Sequence, residues 1–464
     1  MKRFLFVLPF IISCATTEEG AVRKETQKEI KPLTIPEIKT VEKTLPNGLH
    51  IIAVKKDKLP IFYMELVLKA GSVLDPKGKE GLANLVGSLV DEGTKNKTSE
   101  QIAEYIESLG ANFNVSVGKT RTEITAKCLT PDADSLLSIV SEIVMYPTFP
   151  KKEFEREKRR QISGLKNNLS NPNYVTFVKL DKLVYEGTPM EHPTDGYVES
   201  VEKITLDDVN EFYKNYWLPN LSYIVVVSSL EPEEAIRKIE MFFGNWQKKE
   251  ISLPDIPKPK GEKRVEIFHM DGINQAYIRL AFPVDVQRNS PDYNKVRVAN
   301  YILGGSGFSS RILKKIRVEK GYAYSAYSYV MPNIVWKEEN YPSVFIAGLQ
   351  TRVETSEDAV NTLVELIKEA KEKGFTEEEL DAAKSFYNGY IARLSETYSQ
   401  IADLISTQYE YKLPNMFWIK DIDEIRSLTL KDINETARKH FNTENFILLI
   451  VTDTTKVKFK NLKI

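Results

Sequence analysis

The chain has 464 residues, more than one hydrophobic core normally serves, so its length predicts two to four domains. Its 64 basic and 65 acidic residues leave a net charge of −1, and no basic tract is interleaved with aromatic residues. A polyanion would therefore find no complementary field, and we predict no nucleic-acid partner.

The N-terminus has the pattern of a targeting segment. Lys2 and Arg3 precede the short apolar run Phe4 to Ile12, which is well below the roughly 20 residues of a membrane-spanning helix. Cys14 follows this run, and the whole resembles a bacterial lipoprotein signal. The resemblance implies removal of residues 1–13, lipidation of Cys14 and a periplasmic protein anchored to a membrane, the outer one in preference, by its lipid only. An ordinary secretory signal with an incidental cysteine is the alternative. Residues 14–40 are charged and poor in apolar side chains, which is typical of a tether.

The body that follows alternates strands and helices. Thr44–Val54 predicts a hairpin with a two-residue turn at Asn47-Gly48. Period-two alternation predicts strands over Phe62–Lys69 and Thr120–Leu129. Amphipathic spacing predicts helices over four further segments: Leu82–Val90, Ser99–Ser108, Asp134–Val144 and Phe154–Leu169.

An internal duplication divides this body. TLDDVN at 205–210 recurs as TLKDIN at 429–434, and the apolar runs at 223–227 and 447–451 follow at the same distance. Thr205 and Thr429 are helix N-cap candidates. We therefore predict two homologous domains, 41–247 and 263–464, joined by the Pro- and Lys-rich linker 248–262 into a half-clamshell. The fold class is α+β, each domain being a mostly antiparallel sheet with helices packed on it.

Six segments in order resemble the insulinase/pitrilysin zinc peptidases, in particular the bacterial members similar to mitochondrial processing peptidase. They cover nearly the whole chain after the tether: TLPNGLHIIAV at 44–54, AGSVLDPKGKEGLANLV at 70–86, DEGT at 91–94, EHPTDG at 191–196, ITLDDVNEFYKNYWLPNLS at 204–222 and ILGGSGFSSRILKKIRVEKGYAYSAYS at 302–328.

The family's zinc-binding residues are missing from this chain. In the family, H-x-x-E-H on a helix supplies two zinc ligands and the Glu that activates water. Here the matching positions are Asn84, Gly87 and Ser88. The third ligand is a Glu some 75 residues further on, which points to Gly164 or the residue after it. Glu155 and Glu157 lie about two turns too early. The resemblance thus implies a degenerate site with no metal in this chain.

A second family feature is present. Family members offer an Arg and a Tyr, with six residues between them, to a substrate at the zinc site, and Arg317 and Tyr324 have that spacing. Tyr322 and Tyr327 are rivals with the wrong spacing. The glycine-rich run at 303–307 would allow a backbone or a substrate to pass closely. A strand that lies along the substrate is also expected, with Asp271–Phe282 and Ser343–Leu349 as candidates.

These features predict the non-catalytic subunit of a heterodimeric zinc endopeptidase. Its partner would be a homologous subunit that carries H-x-x-E-H and the zinc, and its substrate an unfolded peptide. This chain would close the substrate chamber and present Arg317 and Tyr324 to the partner's site. The alternative is a peptide-binding or scaffold lipoprotein with no role in catalysis.

Overall fold

The computed structural model describes residues 37–258, 261–337, 339–391 and 393–464. The predicted signal peptide, Cys14 and nearly all of the predicted tether lie outside the described residues. The described residues belong to one compact unit. None of their helices is both long enough and apolar enough to cross a membrane.

The first half is built on a six-stranded sheet of order β1-β2-β6-β3-β5-β4. Only the β2–β6 pair is parallel. The strands are β1 (Thr40–Thr44), β2 (His50–Lys55), β3 (Ile61–Leu68), β4 (Asn112–Val117), β5 (Thr122–Leu129) and β6 (Ser222–Ser228). The helices are α1 (Leu82–Leu89), α2 (Ser99–Ser108), α3 (Ala133–Met145), α4 (Lys151–Asn168), α5 (Pro172–Val184), α6 (Val198–Val201), α7 (Leu206–Tyr216) and α8 (Pro232–Phe243).

The second half is built on a five-stranded sheet of order β7-β13-β8-β12-β9, with β7–β13 as its parallel pair. The strands of this half are β7 (Arg264–His269), β8 (Gln275–Val284), β9 (Ala323–Met331), the short pair β10 (Val335–Trp336) and β11 (Glu339–Asn340), β12 (Ser343–Arg352) and β13 (Ile447–Thr452). Its helices are α9 (Tyr293–Asn300), α10 (Arg311–Leu313), α11 (Ser356–Glu372), α12 (Glu377–Ile391), α13 (Tyr398–Glu410), α14 (Phe417–Ser427) and α15 (Leu430–His440).

The two halves repeat one topology, which confirms the predicted duplication and the fold class. Strands β2, β6, β3, β5 and β4 correspond in order to β7, β13, β8, β12 and β9. The helix before each inner strand begins with the same capping box. Thr205 N donates to Asp208 Oδ2 over 2.8 Å, and Thr429 N donates to Asp432 Oδ2 over the same distance. Both threonines are thus the N-caps that the sequence indicated.

Each half lends a helix to the other. Helix α5 of the first half packs on β8 and β13, while α13 of the second half packs on β3 and β6. Asn173 on α5 accepts a hydrogen bond from Arg279 on β8 (3.3 Å), and Ser406 on α13 donates to Glu65 on β3 (2.5 Å). These contacts join the two sheets in one compact unit, whereas the sequence shows only two consecutive repeats.

The hairpin is confirmed, but its predicted two-residue turn is wrong. Strands β1 and β2 pair with Thr44 opposite His50, which leaves a five-residue loop at 45–49. The Asn47 amide donates to the carbonyl oxygens of Phe243 (2.9 Å) and Trp246 (3.1 Å) at the end of α8. This tertiary use of the Asn47 side chain replaces the tight turn that Asn-Gly favours in isolation.

Candidate functional site

Three of the four degenerate zinc positions line a single cavity. Asn84 and Ser88 on α1 and Gly164 on α4 line about 180 Å³ of space between the two helices. Helix α1 is held at its start by Asp75, whose carboxylate accepts hydrogen bonds from the backbone N–H of Gly81 (2.7 Å) and of Ala83 (2.8 Å). These contacts fix the start of the helix that carries Asn84 and Ser88.

The fourth position, Gly87, is buried in α1 and its side-chain space is occupied. A Cβ at this position would lie 2.4 Å from Cγ2 of Val117, on the edge strand β4. Real Cβ atoms do not approach so closely, so a glutamate could not replace Gly87 without displacing the side chain of Val117. The space beside Gly87 is thus filled by the side chain of Val117.

Glu157 lies in the same cavity, contrary to our exclusion of it as two turns too early. It is 2% exposed and pairs with Arg160 (2.7 Å) and Arg156 (3.2 Å). Glu157 and Gly164 are seven residues apart, which is two helical turns and therefore one face of α4. The spacing in the sequence could have revealed this.

The donors around this cavity do not suit zinc. Asn84 and Ser88 offer neutral oxygens, Gly164 offers no side chain, and the charge of Glu157 is already matched by two arginines. Zinc in proteins is held by thiolate, imidazole and free carboxylate groups. In the described part of the chain, such groups approach metal-ligand spacing only at a distinct cluster, His269, Asp271 and Asp453.

That cluster has a structural role. The Asp453 carboxylate accepts hydrogen bonds from the Thr455 hydroxyl (2.6 Å) and from the backbone N–H of Gly272 (3.2 Å). His269 Nδ1 lies 3.0 Å from the Thr454 hydroxyl, where it stabilises the same turn. These carboxylate and imidazole atoms are therefore committed to the loop after β13.

Arg317 and Tyr324, the two residues that the sequence predicted to face a substrate, lie in contact with each other. Arg317 lies on a π-helical segment, Lys314–Glu319, and Tyr324 is the second residue of β9. The Arg317 guanidinium carbon lies 4.2 Å from the centre of the Tyr324 ring, and this tyrosine is 81% exposed. The rival Tyr327 instead stacks on Tyr329. The pair is thus preformed and open to a ligand.

A third residue, Phe308, completes this arrangement. Its ring centre lies 4.7 Å from the Arg317 guanidinium carbon, and the side chain is 70% exposed. Two aromatic rings therefore contact one guanidinium, a cation–π geometry. Phe308 directly follows the glycine-rich run, where Gly304 is required because a Cβ there would lie 2.3 Å from Ser328 Oγ on β9. The sequence predicted that the glycine-rich run would let a backbone or a substrate pass closely. It did not predict the contact of Phe308 with Arg317.

The two strands that we expected to lie along a substrate are interior strands. β8 pairs with β12 and β13, and β12 pairs with β8 and β9, so both edges of each strand are occupied. That prediction is wrong, because apolar character alone marks burial and not an open edge. β9, which carries Tyr324, lies at the edge of its sheet.

A cavity of about 500 Å³ opens beside the Arg317–Tyr324 pair. It is lined by Gln275, Arg317, Gly321, Tyr322, Ala323, Tyr324, Ser325, Gln350, Thr351 and Arg352. Another cavity, of about 550 Å³, lies where the first sheet meets the end of α13. There Arg121 is ion-paired with Glu410 and Glu123, so the charge in that cavity is internally matched.

Comparison with known proteins agrees with this geometry. Residues 51–196 match the family model "Insulinase (Peptidase family M16)", and residues 203–387 match "Peptidase M16 inactive domain". A crystal structure of a peptidase M16 inactive domain from Pseudomonas fluorescens is similar with a TM-score of 0.83 and 26% identity, covering 92% of this chain and 100% of that one. The fold and the two family models thus place M16 peptidase domains in both halves of the chain.

Two relatives from Helicobacter pylori differ in what their names state. The non-peptidase homolog YmxG is 27% identical over 406 residues, 86% of this chain and 91% of that protein. The zinc protease PqqE is 23% identical over 369 residues, 78% of this chain and 82% of that protein. The chain carries insulinase-family M16 domains in both halves, and its similarity to a protein named as a non-peptidase homologue is consistent with an inactive M16 subunit.

Proposed function

We propose that this chain is the non-catalytic subunit of a heterodimeric zinc endopeptidase, in which it closes the substrate chamber and supplies Arg317 and Tyr324 to the partner's site. One observation carries the proposal. The first-half site has lost its ligands and Val117 fills the space beside Gly87, while the Arg–Tyr pair of the second half is assembled and exposed.

The chemistry of the pair suits peptide hydrolysis at a neighbouring site. A guanidinium keeps its charge and offers several N–H donors, which stabilise the oxyanion that forms when a peptide carbonyl is attacked. The Tyr324 hydroxyl makes no hydrogen bond to any described residue, so it can donate to the same centre. In this proposal the zinc and the glutamate that activates water belong to the partner, a homologous subunit with H-x-x-E-H.

The relatives support a division of labour. Helicobacter pylori has both a protein named as a non-peptidase homologue and one named as a zinc protease, and this chain is similar to both. An organism with two such paralogues has the components of an asymmetric pair. We extend this to the present chain as part of the proposal, with unfolded peptides small enough to enter a chamber as the substrate class.

We further propose a periplasmic location, with the chain anchored to the outer membrane through a lipid on Cys14. The motivation is the lipoprotein-like N-terminus. Replacement of Cys14 by Ser should move the protein from the membrane fraction to the soluble periplasmic fraction, and an unchanged distribution would contradict the anchor.

The function is tested by co-expression with an H-x-x-E-H homologue from the same genome and an assay of peptide cleavage. Arg317→Ala and Tyr324→Phe should each lower kcat, by about tenfold to a hundredfold, since removal of a transition-state donor costs up to 10²–10³. Arg438→Ala and Tyr390→Phe are matched controls on other helices and should leave kcat unchanged.

If Arg317→Ala, Tyr324→Phe and the wild type cleave peptide equally fast, the catalytic role of the pair is refuted. If the complex also forms and binds peptide normally in that case, the binding or scaffold alternative is the better description. Failure of any H-x-x-E-H homologue to copurify would contradict the heterodimer itself.

A further inference from the structure

The 500 Å³ cavity beside the Arg317–Tyr324 pair has an unbalanced charge. Arg317 and Arg352 both line it, and no Asp or Glu does. Among the described residues, neither guanidinium forms an ion pair or donates a hydrogen bond. Because an arginine cannot shed its proton, both side chains stay cationic at any physiological pH.

Several other arginines of the second half are paired with carboxylates. Arg288 is ion-paired with Asp421, and Arg311 makes a two-pronged contact with Glu379 through hydrogen bonds of 2.6 Å. In the cavity of about 550 Å³ at the end of α13, Arg121 is likewise ion-paired with Glu410 and Glu123. Arg317 and the exposed Arg352 have no such carboxylate partner among the described residues, although they line one cavity.

The backbone fixes where this second cation lies. Thr351 on β12 is paired with Ala323 on β9, the residue before Tyr324, and Arg352 is the last residue of β12. Neighbouring strands are about 4.8 Å apart, so Arg352 projects from a rigid sheet close to the Arg–Tyr pair. A cavity of this size accommodates a stretch of peptide and not merely one functional group.

We propose that this cavity binds a carboxylate of the peptide substrate, with Arg352 as its principal partner, while Arg317 contacts the reacting carbonyl. The inference rests on the proposed function, because it takes the peptide to lie at Arg317 and Tyr324. Carboxylates satisfy a guanidinium with two parallel charge-assisted hydrogen bonds, which neutral peptide groups cannot match. The carboxylate belongs either to the C-terminus of the peptide or to an Asp or Glu side chain near the cleaved bond.

Three peptides of otherwise identical sequence test the proposal with the assembled heterodimer. One has a C-terminal amide and a Gln, one has a free C-terminus and the Gln, and one has the amide and a Glu. At least one of the two carboxylate peptides should have a KM about fivefold to tenfold lower than the neutral peptide, as expected for a charge-assisted hydrogen bond. Arg352→Gln should abolish this difference in KM, while Arg438→Gln, a matched loss of charge, should leave the difference as it is in the wild type.

The outcomes separate this inference from the proposed function. Suppose that Arg317→Ala lowers kcat on the neutral peptide. If all three peptides then have equal KM values, or if Arg352→Gln keeps the preference for carboxylate peptides, the carboxylate site is refuted and the proposed function is not. If Arg317→Ala has no effect on any peptide, the catalytic role fails. The isolated chain gives an independent measure, since fluorescence polarisation should show tighter binding of a carboxylate peptide and its loss in Arg352→Gln; equal Kd values would overturn the proposal.

Discussion

At the scale of single residues, the guanidinium of Arg317 is held in position by aromatic neighbours and not by an ion pair. Phe308 and Tyr324 contact the guanidinium through their rings. Such contacts hold a cation in place without consuming its N–H donors, which remain available to a substrate. Phe308 is thus expected to be a positioning residue for Arg317.

Replacement of Phe308 tests this role. Phe308→Leu retains an apolar side chain but has no ring, so we expect kcat of the heterodimer to fall about fivefold, the equivalent of an exposed cation–π contact of ~1 kcal/mol. Phe308→Tyr keeps the ring and should retain activity. Val318→Ala, an equally exposed apolar neighbour, is the control. Equal activity of the Leu and Tyr variants would show that the ring has no such role.

At the scale of elements, the vacated zinc site illustrates how one substitution type can have opposite effects on two helices. Gly87 on α1 is against Val117, whereas a Cβ at Gly164 on α4 would meet nothing within 4 Å. Alanine favours a helix over glycine, but a clash with a stiff β-branched side chain in a packed interior outweighs that gain.

We therefore expect Gly87→Ala to lower the free energy of unfolding by about 1–3 kcal/mol, the usual cost of overpacking. Gly164→Ala should raise it by about 0.5–1 kcal/mol, the difference in helix propensity. Urea unfolding of the two variants measures both. Stabilisation by Gly87→Ala would mean that β4 yields readily and that the wall is not tightly packed.

The secondary structure was largely predictable because its signals are local. Helix α2 matches its predicted bounds, and the caps at Thr205 and Thr429 lie where the sequence indicated. What could not be predicted depends on tertiary contacts. The wider turn at Asn47 results from hydrogen bonds to the end of α8, and Phe308 reaches Arg317 only through the path of the loop around Gly304. The position of Glu157 in the cavity, by contrast, was predictable from the sequence, because Glu157 lies two helical turns before Gly164.

At the scale of the whole molecule, an acidic cluster lies where α13 meets the first sheet. Glu65 is buried there, accepts a hydrogen bond from Ser406, and faces Asp403, Glu123 and Arg121. Burial is the main cause that raises the pKa of Glu65 from 4.5 to about 7. Folding therefore shifts Glu65 toward its protonated form relative to the unfolded chain.

This preference gives stability a pH dependence of known sign. The contribution of Glu65 is fully present below pH 4.5 and is lost as the pH rises through about 7, because ionisation then opposes burial. Glu65→Gln should thus raise the free energy of unfolding at pH 8, on the order of 2 kcal/mol, and have little effect at pH 5. Thermal unfolding across this range measures it, with Glu104→Gln on exposed α2 as control. An equal change at both pH values would contradict ionisation as the cause.

Because α5 packs on the second sheet and α13 packs on the first, the order of synthesis limits when each sheet can be covered. The last strand of the first sheet, β6, ends at Ser228, but the helix that covers one face of that sheet begins only at Tyr398. A nascent chain leaving the ribosome or a translocation channel therefore carries a naked apolar surface until almost all of it has been delivered. Long-range closure of this kind is slow and leaves intermediates prone to aggregation. We expect this surface to need shielding between the delivery of β6 and that of α13, and truncations between the two repeats should yield insoluble fragments.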